Sequence, residues 1–303
     1  MVDITHKSTT LRRAIAQATV KVSSQATIDA VVNNTVPKGN VFEMAKTAGL
    51  FGVKKTSEMI PDCHPLPIEY THVSYEIDGL NIIISMEVKT IYRTGVEVEA
   101  MHGVSVVALT MYDMLKPIDK GIEIQNIRLL EKQGGKSDFS DKFRKDITAS
   151  VVVCSDSISA GQKEDKAGKA IIERLEKYGI SIVHSTVIAD EKAAIEAEVN
   201  SATSKNTDLL IFTGGTGMSN RDVTPETLLP MLDREMPGVT EAIRSYGQDR
   251  TPFSMLSRSV AGVKDKTVIL ALPGSTKGAS ESVDAVFPSL LHVFRIFKGA
   301  RHD

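Results

Sequence analysis

From Ala149 onward, short apolar runs alternate with helical stretches, and this rhythm leaves the second half of the chain few architectures to choose from. Ala149 to Cys154, Ile180 to Ile188, Asp208 to Phe212 and Thr267 to Leu272 read as strands. Asp165 to Tyr178, Glu191 to Ser204 and about Ala279 to Phe297 read as helices. Strand, helix, strand in repetition predicts an α/β unit with a mostly parallel, doubly wound sheet. In such a sheet the strands end on one edge, where open α/β folds bind ligands. Four polar stretches follow strands: Ser155-Asp156-Ser157, Asp190, the loop from Thr213 to Asp222, and Pro273-Gly274-Ser275-Thr276-Lys277.

The longest of these, Thr213-Gly214-Gly215-Thr216-Gly217-Met218-Ser219-Asn220-Arg221-Asp222, runs into Val223-Thr224-Pro225-Glu226. Thr224 suits a helix N-cap and Pro225 the first helical position. The glycines let backbone N–H groups crowd around an anion. Asp222 lies two residues before the expected cap and needs another explanation. The loop lacks the Lys-Ser/Thr ending of a P-loop, and Asn220 stands where a dinucleotide fingerprint needs glycine or alanine. With two carboxylates beside it, the loop suits magnesium-assisted phosphoryl or nucleotidyl transfer. The plainer alternatives are a glycine-rich turn, a capping carboxylate at Asp190 and a simple turn at Ser155-Asp156-Ser157.

The first half has a different rhythm. Thr71 to Ile77 and Leu80 to Val88 read as strands joined at Asp78-Gly79. A helix from about Val98 to Lys116 stops before Pro117, and Ile122 to Leu130 is a further strand. Helices beside hairpins predict an α+β unit, an antiparallel sheet packed with helices in a ferredoxin-like arrangement. His64 sits between Pro61 and Pro65, and Asp113 shares a helix face with Lys116. Alone, each reads more plainly as a structural histidine and a surface ion pair. Charged, glycine-containing residues 131–146 read as a mobile loop running into the interdomain linker.

With 303 residues and a net charge of -2, the chain has room for two domains and no bias towards nucleic acid or an anionic membrane. No apolar run nears the ~20 residues of a bilayer span, and no signal-peptide core is seen. Cys63 and Cys154 cannot build a disulfide framework, so the expected compartment is the cytoplasm.

Residues 1–138 resemble the cyclic pyranopterin monophosphate synthases (MoaC family) of molybdenum cofactor biosynthesis. The resemblance rests on Thr10-Leu11-Arg12, Lys38-Gly39, Lys55 to Leu66, Thr94 to Ala100, Leu109 to Met114 and Gly134-Gly135-Lys136-Ser137. That family converts a cyclised dihydro-GTP to a pyranopterin with a cyclic phosphate, releasing pyrophosphate. The resemblance implies that Lys38 and Lys116 are catalytic, with Asp113 and His64 as acid/base or orienting partners. Arg12 and Lys136 would hold the triphosphate, and Asp62, Cys63, His64, Val98 and Glu99 would line the pterin pocket. No cofactor is expected for this half. A lysine desolvated beside another cation can be tuned towards neutral pH, which suits ring opening and closure. Asn40, Asp62 and Asp138 depart from the usual family pattern.

After a linker at 139–147, the second domain spans residues 148–303, of which 148–298 resemble the molybdopterin adenylyltransferases (MogA) and their relatives (MoaB). Ser155-Asp156, Thr213 to Gly217, Arg221 to Glu226, Asp233 to Gly238, Leu256-Ser257-Arg258 and Leu272 to Ser275 carry that resemblance. It implies that Asp190 and Asp222 are the essential carboxylates, positioning magnesium and ATP. Ser155, Asp156, Gly214, Gly215, Thr216, Gly217, Ser219, Gly274 and Ser275 would contact substrate, the glycine loop taking the pterin's terminal phosphate. The alternative is a pterin-binding and oligomerisation module without transfer activity. Oligomers of both families imply a fused homo-oligomer, a hexamer on a shared threefold axis.

Overall fold

A computed structural model describes residues 1–135, 138, 146–297 and 299. The chain divides into two compact units, Met1–Phe139 and Ser140–Asp303. In the first, β1 (Thr10–Lys21) is followed by α1 (Gln25–Val32), α2 (Val41–Lys54) and α3 (Thr56–Met59). Then come β2 (Tyr70–Asp78), β3 (Asn81–Tyr92), α4 (Glu97–Leu115) and β4 (Glu123–Gln133). The four strands pair antiparallel in the order β2-β3-β1-β4, the ferredoxin-like arrangement expected.

Period-two alternation explains which side of this sheet is covered. Ala14, Ala16, Ala18 and Val20 of β1, with Ile82, Ile84, Met86 and Val88 of β3, are fully buried in one cluster with α2 and α4. The two helices touch through small residues. A Cβ on Gly49 would lie 2.3 Å from Val107 Cγ2, and one on Gly103 would lie 2.4 Å from Val53 Cγ2. In the hairpin, Asp78 pairs with Asn81, so the turn is Gly79-Leu80, one residue later than the sequence suggests. Leu80 packs on the core, and its carbonyl accepts the Val22 N–H. Burial therefore sets the register.

Asp119, 4% exposed, ties three segments together. Its carboxylate accepts from Ser23 N and Oγ, Thr27 Oγ1 and Gly121 N at 2.6–3.0 Å. Burial alone would raise its pKa, but these donors bring it down to about 2.

The second unit begins with β5 (Thr148–Cys154), α5 (Asp156–Ser159), α6 (Ala167–Lys177), β6 (Ser181–Ile188), α7 (Lys192–Ser204) and β7 (Leu209–Thr213). It continues through α8 (Thr224–Leu228), β8 (Arg234–Glu235), α9 (Pro237–Gln248), β9 (Val260–Lys264), β10 (Thr267–Leu272), α10 (Thr276–Val286) and α11 (Val293–Ile296). The sheet order is β6-β5-β7-β10-β9-β8. The first four strands are parallel, and β9 and β8 join antiparallel. Alternate residues of β7 serve opposite cores. Leu209 and Ile211 pack with Ile171, Leu175 and Val283, whereas Leu210 and Phe212 pack with Ile195, Val199 and Leu228. Burial on both faces is what turned these strands into continuous apolar runs.

Two features differ from expectation. The closing helix ends at Val286, because Phe287 is extended before Pro288 and proline cannot continue the hydrogen-bond ladder. A 3-10 turn and α11 follow. The β8–β9 pair was also not anticipated. It closes over Gly262, where a Cβ would sit 2.6 Å from the Arg234 carbonyl oxygen. No described helix is long and apolar enough to cross a membrane.

Replacing Asp119 with asparagine should cost about 1.5–3 kcal/mol at pH 7, the worth of hydrogen bonds to a charged group. A carboxyl with a lowered folded pKa stabilises above its unfolded value, ~3.9, and that contribution disappears as pH falls towards 2. Thermal melts of wild type and variant should therefore converge near pH 2–3.

Candidate functional site

Three of the residues singled out in the first half meet. Asp113 lies near the end of α4, and its two carboxylate oxygens hold one lysine each: Lys116 Nζ at 2.7 Å and Lys38 Nζ at 2.6 Å. Lys38 also donates to the Asp113 carbonyl at 2.8 Å. Lys38 is delivered by the turn before α2, where Gly39 adopts φ +97° and Asn40 caps the helix by accepting from Glu43 N. The departure at Asn40 costs nothing structurally, since asparagine and aspartate cap equally well. Hydrogen bonds from Lys116 and then Lys38 push the Asp113 pKa down to about 2. The same pairing raises the Lys116 pKa, so the downward tuning expected from a neighbouring cation does not occur at Lys116. Asp113 stands between the two cations, and both ammonium groups are solvent-accessible.

The other residues lie at the far end of the same helix. Cys63, His64, Val98 and Glu99 line a cavity of about 520 Å³ with Asp62 at its rim. From Glu99 to Asp113 is fourteen residues of continuous helix, about 21 Å at ~1.5 Å per residue. One chain therefore does not bring His64 to the lysines. Glu99 is 2% exposed, and its Oε2 has no partner. Burial raises its pKa, and the Cys63 thiol donates to Oε1 at 3.2 Å. Burial, then Glu99, pushes the Cys63 thiol up to about 12. Asp62 takes the Met1 amine at 2.5 Å. Arg12 is buried, donating to the carbonyls of Tyr92 and Arg93, beneath Gly135. Lys136 lies outside the described residues.

In the second unit the strand ends converge as the topology requires. A Cβ on Gly214 would come within 2.1 Å of the Cys154 carbonyl oxygen, and one on Gly274 within 3.0 Å of Gly214 Cα. The ends of β5, β7 and β10 thus meet at backbone distance. Gly214 spends its N–H on the Leu272 carbonyl. The N–H groups of Gly215, Thr216 and Gly217 meet no acceptor among the described residues, leaving three backbone donors for an anion.

Both carboxylates border this cradle. A Cβ on Gly215 would lie 2.9 Å from Asp190 Oδ1, and one on Gly217 would lie 3.0 Å from Asp222 Oδ2. Asp190 does not cap the helix that follows, for α7 shows no side-chain cap. Its Oδ1 is buried and unpartnered, and its Oδ2 accepts only the long 3.3 Å bond from Asp156 N. Burial first, then the charges of Asp156 and Asp222, raise its pKa against that single hydrogen bond. Asp222 closes its own loop by accepting from Ser219 N at 2.8 Å. Thr224, expected as an N-cap, instead donates to the Gly214 carbonyl and anchors the loop. Ser155 caps α5 and Ser275 caps α10.

Two arginines complete the frame. Arg221 donates Nε and Nη2 to one oxygen of Asp156, at 3.0 and 2.7 Å, while the other oxygen accepts Asp190 N. Arg258 donates to the carbonyls of Gly217 and Asp222, both at 2.8 Å, and pairs with Glu226. Both arginines lie in stretches that carry the family resemblance, but nothing in their local sequence signals these roles. Arg258 acts on partners 32 to 41 residues away, a separation that carries no local signal. No three His, Cys, Asp or Glu side chains among the described residues form a metal site by themselves.

Comparison with known proteins matches each half of the chain to a family. The MoaC family profile matches residues 1–135, and that of the "Probable molybdopterin binding domain" matches residues 150–292. A molybdenum cofactor biosynthesis bifunctional protein of Chlorobaculum tepidum is 39% identical over 302 residues, covering 100% of this chain and 96% of the relative. The chain belongs to this bifunctional family. A second member, from Synechococcus elongatus, is 35% identical over 315 residues, covering 100% and 98%. The cyclic pyranopterin monophosphate synthase of Listeria monocytogenes is 46% identical over 138 residues, 45% of this chain and 86% of the relative.

Asp190→Asn should raise the melting temperature at pH 7 in metal-free buffer. A carboxyl with a raised folded pKa is disfavoured as an anion, so its penalty is absent below ~3.9 and grows as pH rises through the folded value. The variant's advantage in thermal melts should therefore vanish near pH 3.

Proposed function

We propose that the first unit converts cyclised dihydro-GTP to cyclic pyranopterin monophosphate with pyrophosphate release, and that the second transfers an adenylyl group from Mg-ATP to molybdopterin. For the first, the carrying observation is the Lys38–Asp113–Lys116 group. Asp113 stays ionised and holds two ammonium groups where they can meet phosphate oxygens. As substrate phosphate draws a lysine away, that lysine can donate a proton or offset the charge of the leaving pyrophosphate. The His64 cavity, with the buried Glu99 whose Oε2 has no partner, offers hydrogen bonds to a pterin edge.

The 21 Å between these groups is resolved if a second copy supplies one of them. Met44 and Phe51 of α2 and Leu109 of α4 are each more than half exposed, a surface suited to another copy. This surface supports the homo-oligomer, read as a hexamer; the proposal is completed by small-molecule substrates and a cytoplasmic setting, with neither nucleic acid nor membrane as partner.

For the second unit, the carrying observation is the trio of uncommitted amides beside the orphaned Asp190 oxygen. The amides suit the terminal phosphate of the pterin. Asp190 and Asp222 would hold magnesium, which is commonly bound by one or two carboxylates together with substrate phosphates. When bound, that ion would neutralise charge on the nucleotide phosphates. The protein's own part is positioning, with Asp156 and Arg221 fixing the Asp190 backbone and Arg258 fixing the loop. The orphaned oxygen favours transfer over a binding-only module, which would have no use for an unpaired carboxylate there.

Lys38→Ala and Lys116→Ala should each lower synthase turnover by at least ~100-fold, the scale of lost acid–base or charge stabilisation. Asp190→Ala or Asp222→Ala should lower adenylyl transfer by ~10²–10³ and leave synthase turnover unchanged. Mixing Lys116→Ala chains with His64→Ala chains should restore part of the synthase activity. A mixture as inactive as its components would sink the two-copy arrangement.

A further inference from the structure

The sheet of the second unit has a second edge, where β5, β6 and β7 begin. β5 runs from Thr148 to Cys154, so this edge lies about 20 Å from the end that meets the glycine loop, at ~3.3 Å per residue. A cavity of about 350 Å³ opens there, between the starts of these strands and the last turns of α7. This lies at the lower end of ligand-sized pockets, ~300–1,000 Å³.

Strand alternation decides which side chains face it. Ser150 follows Val152 and Cys154 along β5, and these pack with Ile195, Val199 and Ala202 of α7. His184 is the register partner of Ser150 on β6 and shares that face. Ser150 is 3% exposed, yet its hydroxyl meets no hydrogen-bond partner among the described residues. Thr207, 4% exposed, joins the wall from the loop before β7, and its hydroxyl is likewise unpaired. Buried hydroxyls are normally satisfied, and leaving two unmade in one wall is costly.

The charges around these hydroxyls have a sign. Glu198 of α7 has Oε2 at 3.2 Å from His184 Nε2, and its Oε1 meets no partner among the described residues. Asp208 is buried, with Oδ2 accepting Thr148 N and Oγ1 at 2.9 and 3.0 Å. Against these two carboxylates the wall sets one lysine, Lys205, which is exposed. The C-terminal end of α7 adds partial negative charge at the same place. The wall therefore favours a cation with several N–H donors.

We propose that this cavity is a second ligand site, taking a small organic cation, an amine or a guanidinium. Its N–H groups donate to Ser150 Oγ, Thr207 Oγ1 and the Glu198 carboxylate. The site is separate from the catalytic carboxylates at the other ends of the same strands, and it does not depend on the adenylyl-transfer reading.

The test titrates the full-length chain by calorimetry with agmatine, which carries a guanidinium and an ammonium, and with glutarate as an anionic counterpart. Agmatine should bind with a Kd of roughly 1 mM or below, and glutarate should not bind. Ser150→Ala and Glu198→Gln should each weaken agmatine binding about tenfold, the scale of one lost hydrogen bond to a charged group. Lys205→Ala should tighten it roughly two- to fivefold, a change that damage to the fold cannot produce. Asp222→Ala, at the opposite edge, should leave it unchanged. No binding by the wild-type chain at ~10 mM agmatine, or binding of glutarate in its place, overturns the assignment. So does binding that is lost with Asp222→Ala and kept with Glu198→Gln, because the cation then sits at the catalytic carboxylates.

Discussion

The second unit depends on backbones that meet directly at its strand ends. Gly214, at φ +103°, leaves no space for a side chain against the Cys154 carbonyl, and Gly274 packs on Gly214 in turn. A positive φ and a blocked Cβ are both conditions that glycine alone meets comfortably. Because three strand ends are drawn together there, the chain leaving β7 must turn at once. The turn leaves the amides of Gly215, Thr216 and Gly217 without an acceptor among the described residues and Asp190 Oδ1 against Gly215 with no hydrogen-bond partner. The cradle follows from the packing of β5, β7 and β10, and the raised pKa of Asp190 from its burial beside that cradle and the charges of Asp156 and Asp222.

Much of this could be read from residue order. Strands buried on both faces announce themselves as unbroken apolar runs, and parallel order then places their trailing polar residues on one edge. What escaped reading depends on contacts with no local pattern. Arg258 clamps the glycine loop from another part of the unit, and Thr224 spends its hydroxyl on the Gly214 carbonyl instead of capping α8. The β8–β9 pair is short and includes Gly262, which weakens any strand signal. The break at Phe287-Pro288 was legible in the proline and was overridden by the apolar period on either side.

In the first unit the constraint is the stiffness of α4. A continuous helix of nineteen residues keeps Glu99 and Asp113 apart by a distance set by its rise. Sequence order grouped their neighbours correctly, yet grouping by resemblance does not say which groups meet in one chain. Asp113 also changes the electrostatic reading: two lysines alone would repel and depress each other's pKa, whereas the carboxylate between them raises that of Lys116. The resting arrangement is a cationic pair held ready by one anion.

Adenylyl transfer is the central claim about the second unit, and one product analysis addresses it. The full-length chain, given molybdopterin, ATP and magnesium, should yield adenylylated pterin and pyrophosphate in equal amounts by mass spectrometry. Pterin that stays bound and unmodified while ATP remains intact would contradict the account.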